Sequence, residues 1–193
     1  GFSRCRELGA LPQVHAENGD LIAHLQHKLL SEGVTSPRGH VLSRPPQCEA
    51  EATLRAVTMA ELLDVPLYVV HVSAAGAAEA IAGAQARGAK IVGETLPGFL
   101  AIDESVYADP DFDIAAGHVM SPPYRPKAYQ AVLWQALQDG VLSTTGTDHC
   151  CFTRAQKRLG QIDFTKIPNG CGGVEDRLHV MWHLGVNGGR LTP

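Results

Sequence analysis

The sequence predicts an α/β fold built on a parallel sheet, and three observations support this. Short, β-rich runs alternate four times with longer helical patterns along the 193 residues. The runs lack the apolar–polar alternation of a half-solvated strand, which favours strands that are buried on both faces. Glycines end several helical segments, and Gly- and Pro-rich stretches separate the units. This alternation is typical of either a doubly wound sheet or a barrel.

The predicted strands share a short length and a mostly apolar composition. Four such runs follow one another: LPQVHA (11–16), PLYVVHV (66–72), KIVGET (90–95) and GVLSTTGTD (140–148). Apolar runs of this length that are bounded by turn-forming residues are typical of buried strands. We expect the four runs to lie side by side in one parallel sheet.

Five predicted helices accompany these strands. Segment 18–33 opens on an Asn-Gly-Asp turn that can cap a helix, and it stops at a glycine. Segment 45–65 has proline at its start and acids in its first turn, as helix N-termini prefer. Segments 74–88 and 125–140 both end on glycine, and segment 173–185 has an amphipathic pattern.

Composition and charge exclude several classes of protein. Hydrophobic residues make up 45% of the chain and charged residues 19%, which is typical of a globular domain. The net charge of −4 provides no strong attraction to nucleic acid or anionic lipid. No apolar run reaches the about 18 residues that a membrane span needs. No nucleotide-binding glycine motif follows any strand. We therefore expect neither nucleic-acid nor membrane partners.

The cysteines are few, scattered and odd in number. They are Cys5, Cys48, Cys150, Cys151 and Cys171. The absence of any C-x-x-C pair argues against a disulfide framework and against a structural zinc knuckle. Reduced thiols in a cytoplasmic protein are the better interpretation.

Residues suited to metal binding and proton transfer lie at the ends of three predicted strands. His15 ends the first strand, His71 the second and Asp148 the fourth. Ligands of parallel α/β folds bind beyond the carboxyl ends of the strands, so these side chains should share one rim. Two imidazoles and a carboxylate suit zinc or another divalent ion. Taken singly, each residue also fits a structural role, as a hydrogen-bonded histidine or a capping aspartate.

Other candidate features have simpler interpretations. His179 and His183 are four residues apart on a helix, but Val180 stands where zinc-protease motifs carry a glutamate. We interpret both histidines as helix-surface or packing residues. Stretches 96–124 and 149–173 are longer than ordinary connections, which indicates functional loops.

Six segments spread over the chain carry recognisable motifs. They are VHAENGD (14–20), VVHVSAAGAAEAI (69–81), MSPPYRP (120–126), TGTDHCCF (145–152), IPNGCGGVEDR (167–177) and GVNGGRLTP (185–193). Together they resemble the cyclic amidohydrolases, most closely the dihydropyrimidinase/hydantoinase group. The segments occur in the family's order, and the resemblance extends over essentially the whole chain. The combination of HAEN at one strand end with TDHC at another is specific.

The resemblance implies a (β/α)8 TIM barrel that holds two divalent metal ions, usually zinc, bridged by a hydroxide. It implies that His15 and His71 are ligands of the second metal. Asp148 would be a ligand of the first metal and would also shuttle the proton. Ser121 and Asn169 correspond to residues whose backbone groups align a cyclic diamide substrate. Members of the family form tetramers or dimers.

Three features of the family have no counterpart in this sequence. They are the H-x-H pair after the first strand, the carboxylated lysine on the fourth strand that bridges both metals, and a tyrosine soon after that lysine. We therefore expect residues 1–193 to form a single partial barrel domain, with strands five to eight and their helices. The N-terminal strands and the family's β-sandwich would be missing. Such a fragment is expected to be poorly stable and inactive alone.

The activity implied by the resemblance is hydrolysis of a cyclic amide bond, in pyrimidine catabolism or a related process. The substrate would be 5,6-dihydrouracil, giving N-carbamoyl-β-alanine, or a 5-substituted hydantoin, giving an N-carbamoyl amino acid. Allantoinase and dihydroorotase are related alternatives that the IPNG loop and the TDHC strand end disfavour. A non-catalytic dihydropyrimidinase-like scaffold is a third alternative. The presence of His15, His71 and Asp148 favours the enzyme.

Overall fold

The sheet consists of four parallel strands whose order in space is their order along the chain. The computed structural model describes all 193 residues. The strands are β1 (Gln13–Val14), β2 (Leu67–Val69), β3 (Ile91–Thr95) and β4 (Leu142–Thr145). Each strand pairs in parallel with the next, and the register shifts once between β3 and β4. The predicted α/β class and parallel sheet are confirmed.

Helices make up most of the remaining ordered structure. They are α1 (Phe2–Glu7), α2 (Gly19–Ser31), α3 (Arg38–Leu42), α4 (Pro46–Leu63), α5 (Ala75–Ala86), α6 (Pro97–Ala101), α7 (Phe112–Gly117), α8 (Ala128–Gln138), α9 (Arg154–Lys157) and α10 (Asp176–Val180). A π-helical turn, Met181–Val186, continues α10. Three 3-10 turns occur in the loops, at Glu104–Ala108, Arg158–Gly160 and Phe164–Lys166. No helix combines the length and the apolar character that a bilayer crossing requires.

The two faces of the sheet have different environments. On one face Leu67 and Val69 are buried beneath the layer formed by α4, α5 and α8. Because side chains alternate across a strand, Tyr68, Glu94 and Thr144 lie on the other face, where they are only half-buried. The expectation of strands buried on both faces is therefore wrong for this chain, since the second face carries polar groups that bond to one another. Covering helices on one face and a sequential strand order favour a barrel over a doubly wound sheet.

The hydrophobic core lies between the sheet and its helical layer. It is a single cluster of 28 buried residues, so the chain has one core rather than two. Val57 of α4, Ile81 of α5 and Leu133 of α8 are at most 1% exposed and meet strand residue Leu142 there. Gly93 permits this packing, because a Cβ at that position would lie 2.6 Å from Cδ2 of Leu142.

Helices α2, α4, α5 and α8 lie inside the four segments that the sequence predicts for them. Asn18 accepts a hydrogen bond from the Leu21 N–H at 3.1 Å and so caps α2. Pro46 occupies the first turn of α4, where its missing N–H leaves no hydrogen bond unmade. Local signals therefore define these helix starts.

The ends of the chain and the long loops differ from the prediction. Segment 173–185 forms a helix only as α10 and the π-helical turn, and its Leu178 and Trp182 are 70% and 49% exposed. Stretches 96–124 and 149–173 contain short helices, such as α7 and α9, in place of irregular loops. These helices are too short to show a helical period in the sequence.

A buried ion pair joins α4 to the loop that follows residue 120. Arg125 Nη2 donates to Glu49 Oε2 at 2.8 Å, and both side chains are 3% exposed. Oε1 of Glu49 accepts from the Ser73 and Ala74 N–H groups at 2.7 and 3.0 Å, at the start of α5. Arg125 Nη1 also donates to the Arg44 carbonyl at 2.5 Å. The pair therefore ties together three loops, which carry Arg44, Ser73 and Arg125.

Replacing Glu49 with alanine is expected to destabilise the chain strongly. The change leaves the Arg125 guanidinium buried without a counter-ion, which costs about 3–5 kcal/mol. Glu51→Ala, on the same helix, is the matched control, because its partner Arg55 is exposed and such pairs contribute about 0.2–1 kcal/mol. Urea unfolding followed by circular dichroism measures both values. Equal losses in the two variants would contradict a central role for the buried pair.

Candidate active site

Two histidines from neighbouring strands face each other at the carboxyl edge of the sheet. His15 follows β1 directly, and His71 lies two residues beyond β2. His15 Nδ1 is 2.9 Å from His71 Nε2, and the two rings meet edge to face with centroids 4.7 Å apart. The parallel pairing of β1 with β2 brings them together, as the sequence predicts.

The neighbours of His15 determine which of its two ring nitrogens carries the hydrogen. Nε2 of His15 is 3.1 Å from Glu17 Oε2, which also accepts a hydrogen bond from Arg44 Nη1 at 2.5 Å. An ionised carboxylate can only accept, so Nε2 carries the proton and Nδ1 presents its lone pair to His71. Burial alone would raise the pKa of Glu17, but the His15 hydrogen bond and the Arg44 charge hold that pKa below its usual range.

His71 is held in a conformation that a histidine rarely adopts. It is 6% exposed and has a φ of 43°, and its N–H donates to Glu94 Oε1 at 3.2 Å. Left-handed backbone costs a non-glycine residue about 1–2 kcal/mol. Burial lowers the pKa of His71, and the nearby His15 adds to this, while the charge of Asp148 acts in the opposite direction. The ring is therefore neutral near pH 7, and its Nε2–H donates to the lone pair of His15 Nδ1.

Asp148 shares the unusual backbone of His71 but remains exposed. It lies three residues beyond β4 with a φ of 44°. Only one other non-glycine residue, Asp64, has positive φ, and it ends α4 in an ordinary left-handed cap. Strained backbone away from helix ends is concentrated at functional sites. Its presence at two strand ends makes this edge of the sheet the candidate functional site. No group of three His, Cys, Asp or Glu side chains in the chain is arranged to surround one ion.

Glu94 is a residue of this region that the sequence reasoning missed. Its Oε2 accepts from the Tyr68 hydroxyl at 2.8 Å, and that hydroxyl is 2.9 Å from Thr144 Oγ1. Gly146 passes close by, and a Cβ there would lie 2.6 Å from the Glu94 carboxyl group. The available signal was an acid within the apolar run KIVGET. Glu94 links the open face of the sheet to the His71 backbone.

The residues that the resemblance assigns to substrate binding meet in two adjoining loops. Ser121 Oγ donates to Asn169 Oδ1 at 2.7 Å, and Asn169 Nδ2 donates to the Ile167 carbonyl at 3.1 Å. The Gly170 N–H donates to the Val119 carbonyl at 2.9 Å, which adds a backbone link between the loops. The structure therefore places Ser121 beside Asn169, although the two residues are far apart in the sequence.

The thiols and the remaining histidines make other contacts. His149 Nδ1 accepts from the Gly173 and Val174 N–H groups at 3.2 and 3.3 Å. Cys151 Sγ is 3.5 Å from His149 Nε2, so this thiol faces the His149 ring and not the His15–His71 pair. Residues 149–151 thus support the turn that carries Asp148. His179 and His183 are exposed on the last helix, in agreement with the sequence interpretation.

A pocket of about 210 Å³ opens beside these loops. Its wall is mainly apolar and includes Leu96, Met120 and Tyr124. Thr147 and Cys171 bring it next to the turn that carries Asp148 and to the loop that carries Asn169. A small cyclic molecule at the strand ends would therefore have a pocket of apolar character on one side.

Comparison with known proteins gives close matches over nearly the whole chain. No protein-family model matches it. The chain is 50% identical to the dihydropyrimidinase of Rattus norvegicus over 191 residues, which are 98% of this chain and 37% of the rat protein. It is also 50% identical to the D-hydantoinase of Geobacillus stearothermophilus over 188 residues, covering 97% of this chain and 40% of that protein.

A solved structure agrees with the sequence matches. The crystal structure of dihydropyrimidinase from Brevibacillus agri superposes with a TM-score of 0.97 at 49% identity, covering 98% of this chain and 41% of that one. The four parallel strands and their helices thus match part of the fold of that enzyme. This chain spans about two fifths of the length of the relatives it matches. The chain belongs to the dihydropyrimidinase and D-hydantoinase family.

Proposed function

We propose that this chain is part of a metal-dependent hydrolase that opens the ring of cyclic amides such as dihydropyrimidines and 5-substituted hydantoins. The observation that carries the proposal is the His15–His71 pair, with Nδ1 of one ring facing Nε2 of the other at 2.9 Å. Glu17 orients His15 so that its free lone pair points into the pair. Two imidazole nitrogens that face each other are ligands that suit zinc, which would take the place of the hydrogen bond between them.

Residues 1–193 are proposed to form one partial domain, equivalent to strands five to eight of a (β/α)8 barrel. β1 and β4 each have one edge without a partner strand, and closed barrels have no such edges. The half-exposed polar face with Tyr68, Glu94 and Thr144 corresponds to a barrel interior. The remaining ligands, including a carboxylated lysine, would come from strands that precede these residues in a longer polypeptide.

A pair of divalent ions supplies, when bound, Lewis-acid polarisation of the ring carbonyl and a water acidic enough to attack it near neutral pH. His15 and His71 would hold one of the two ions, and Asp148 the other. The carboxylate of Asp148 is exposed at the same edge of the sheet, where it can accept the proton of the attacking water. It would then return that proton to the leaving ring nitrogen.

The backbone around Ser121 and Asn169 would bind the substrate. A cyclic diamide presents alternating N–H and C=O groups in one plane, and each buried polar edge must find a partner. The loops that carry Ser121 and Asn169 lie in contact with each other, so backbone groups from both can face one ring. This arrangement favours a diamide ring over a simple linear amide.

The proposed setting is cytoplasmic, and the proposed assembly is a homotetramer or homodimer of the longer polypeptide. Support for a reducing compartment comes from five cysteines that are all free, two of them exposed. The proposed assembly rests on the resemblance, since members of the family form tetramers or dimers.

Loss of the Asp148 carboxylate is expected to abolish turnover in the complete polypeptide. Asp148→Ala removes the proton carrier, and Asp148→Asn does so with a residue that tolerates positive φ. Losing general acid–base catalysis lowers kcat by about 10²- to 10⁴-fold. Cys151→Ser is the matched control and should keep nearly full activity, because that thiol contacts only His149. Hydrolysis of 5,6-dihydrouracil, followed by loss of ultraviolet absorbance, measures kcat. Equal losses in the aspartate and cysteine variants would show that the Cys151 thiol is as important for turnover as the carboxylate.

The complete polypeptide is expected to bind two divalent ions per chain. Glu17→Gln should weaken binding of one ion by about 10- to 100-fold, the usual effect of losing a carboxylate that orients a ligand histidine. Asp20→Asn, an exposed acid nearby that contacts neither histidine, is the control. Competition with a chromophoric zinc chelator gives both affinities. Fewer than two ions in the unchanged protein would favour the alternative of a non-catalytic scaffold.

The 193 residues expressed alone are expected to hydrolyse neither dihydrouracil nor hydantoin, because the open barrel lacks the remaining ligands. The complete polypeptide, assayed at the same molar concentration with added zinc, is the positive control. Measurable turnover by the isolated chain would overturn the assignment of the missing ligands to other strands.

A further inference from the structure

Lys157 is a buried cation that the proposed mechanism does not use. It closes α9, is 4% exposed, and its Nζ donates to three backbone carbonyls at 2.8 Å each: Val119, Pro168 and Gly170. No carboxylate is among these partners, although buried charges are usually paired with an opposite charge. The Phe152 ring lies 5.5 Å from Nζ and shields it from water. All three ammonium protons are thus used by backbone oxygens.

The three carbonyls belong to the two loops that meet at Ser121 and Asn169. Val119 stands two residues before Ser121, and Pro168 and Gly170 are the two neighbours of Asn169. One ammonium group therefore connects both loops at the positions next to their substrate-facing backbone.

Neighbouring carbonyls of the first loop are also held by buried side chains. The Tyr107 hydroxyl donates to the His118 carbonyl at 3.1 Å, and His40 Nε2 lies 2.7 Å from the Met120 carbonyl. Burial lowers the pKa of His40 to about 3, so its neutral ring donates Nε2–H. With Lys157 on Val119, three consecutive carbonyls are fixed just before Ser121. Val119 and Met120 are buried, so their carbonyls need donors from the protein, and together these donors hold the segment before Ser121 in one conformation.

We propose that Lys157 is a positioning residue that sets the spacing between the Ser121 and Asn169 backbones so that both can hold one cyclic diamide. This inference rests on the proposed function. A lysine suits the role because its ammonium group has three donors around one centre. Methionine fills a similar volume without a donor, and the planar fork of arginine cannot point at three converging oxygens.

The test compares Lys157→Met with Lys166→Met in the complete, zinc-loaded polypeptide. Lys166 lies in the same loop region but is exposed and makes no side-chain hydrogen bond, so it controls for loss of a positive charge. KM and kcat for 5,6-dihydrouracil are measured together with zinc content. Lys157→Met should raise KM by about 10- to 100-fold, the loss expected for hydrogen bonds from a charged donor. Its kcat per zinc-loaded site should change less, and Lys166→Met should match the unchanged protein.

A second variant and a second measurement guard against a folding defect. Lys157→Gln keeps two N–H donors and should raise KM less than Lys157→Met does. Amide exchange of the Gly170 N–H, which donates to the Val119 carbonyl, should become faster in both variants and not in Lys166→Met. If Lys157→Met does not fold, the KM of Lys157→Gln alone tests the inference: a raised KM supports it, and an unaltered KM contradicts it.

The outcomes separate the two proposals. Absence of turnover in the unchanged, zinc-loaded polypeptide overturns the proposed function and the inference together. Turnover in the unchanged protein with an unaltered KM in both Lys157 variants overturns the inference alone. A fall in kcat that only follows zinc content, at constant KM, also overturns it, because that is the signature of a purely structural lysine.

Discussion

The buried contact between Glu49 and Arg125 is the interaction on which the site depends. Three parts of the candidate site lie close to it in the chain: Ser73 is two residues after His71, Arg125 is four residues after Ser121, and the Arg44 carbonyl bonded to Arg125 belongs to the residue that holds Glu17. Removing two charges from water is costly, and only full hydrogen bonding offsets that cost. Each guanidinium nitrogen of Arg125 and each carboxylate oxygen of Glu49 has a partner. Because every one of these hydrogen bonds must form together, the network has a single geometry. A preorganised site requires such a fixed geometry.

The sequence predicts which residues of the candidate site lie together when those residues stand at the ends of neighbouring strands. In a parallel sheet the carboxyl ends of adjacent strands share an edge, so His15 and His71 could be placed together from their positions alone. The resemblance supplied Ser121 and Asn169, which lie in contact in the structure, and their role in substrate binding stays a prediction. The elements predicted best are those with strong local signals, such as the cap at Asn18 and the proline that opens α4.

The remaining features depend on contacts between distant segments, which no local pattern encodes. Arg44 and Lys157 look like ordinary surface cations in the sequence, and only the fold buries them. The sequence pattern predicts Glu94 only as one residue of a buried strand, whereas its carboxylate joins Tyr68 and the His71 backbone on the open face. An apolar run predicts a strand but does not reveal how many of its faces are covered. That depends on what packs against the sheet.

The sequential order of the four strands also bears on how this segment can assemble. Each strand pairs only with the strand that comes before or after it in the chain, and one helix from each connection, α4, α5 or α8, packs against the sheet. No strand has to wait for a distant partner before it is inserted between two others. During synthesis from the N-terminus, each new strand can therefore pair with the preceding strand, which has already been made. β4 is made last, when the other three strands of this sheet can already be paired.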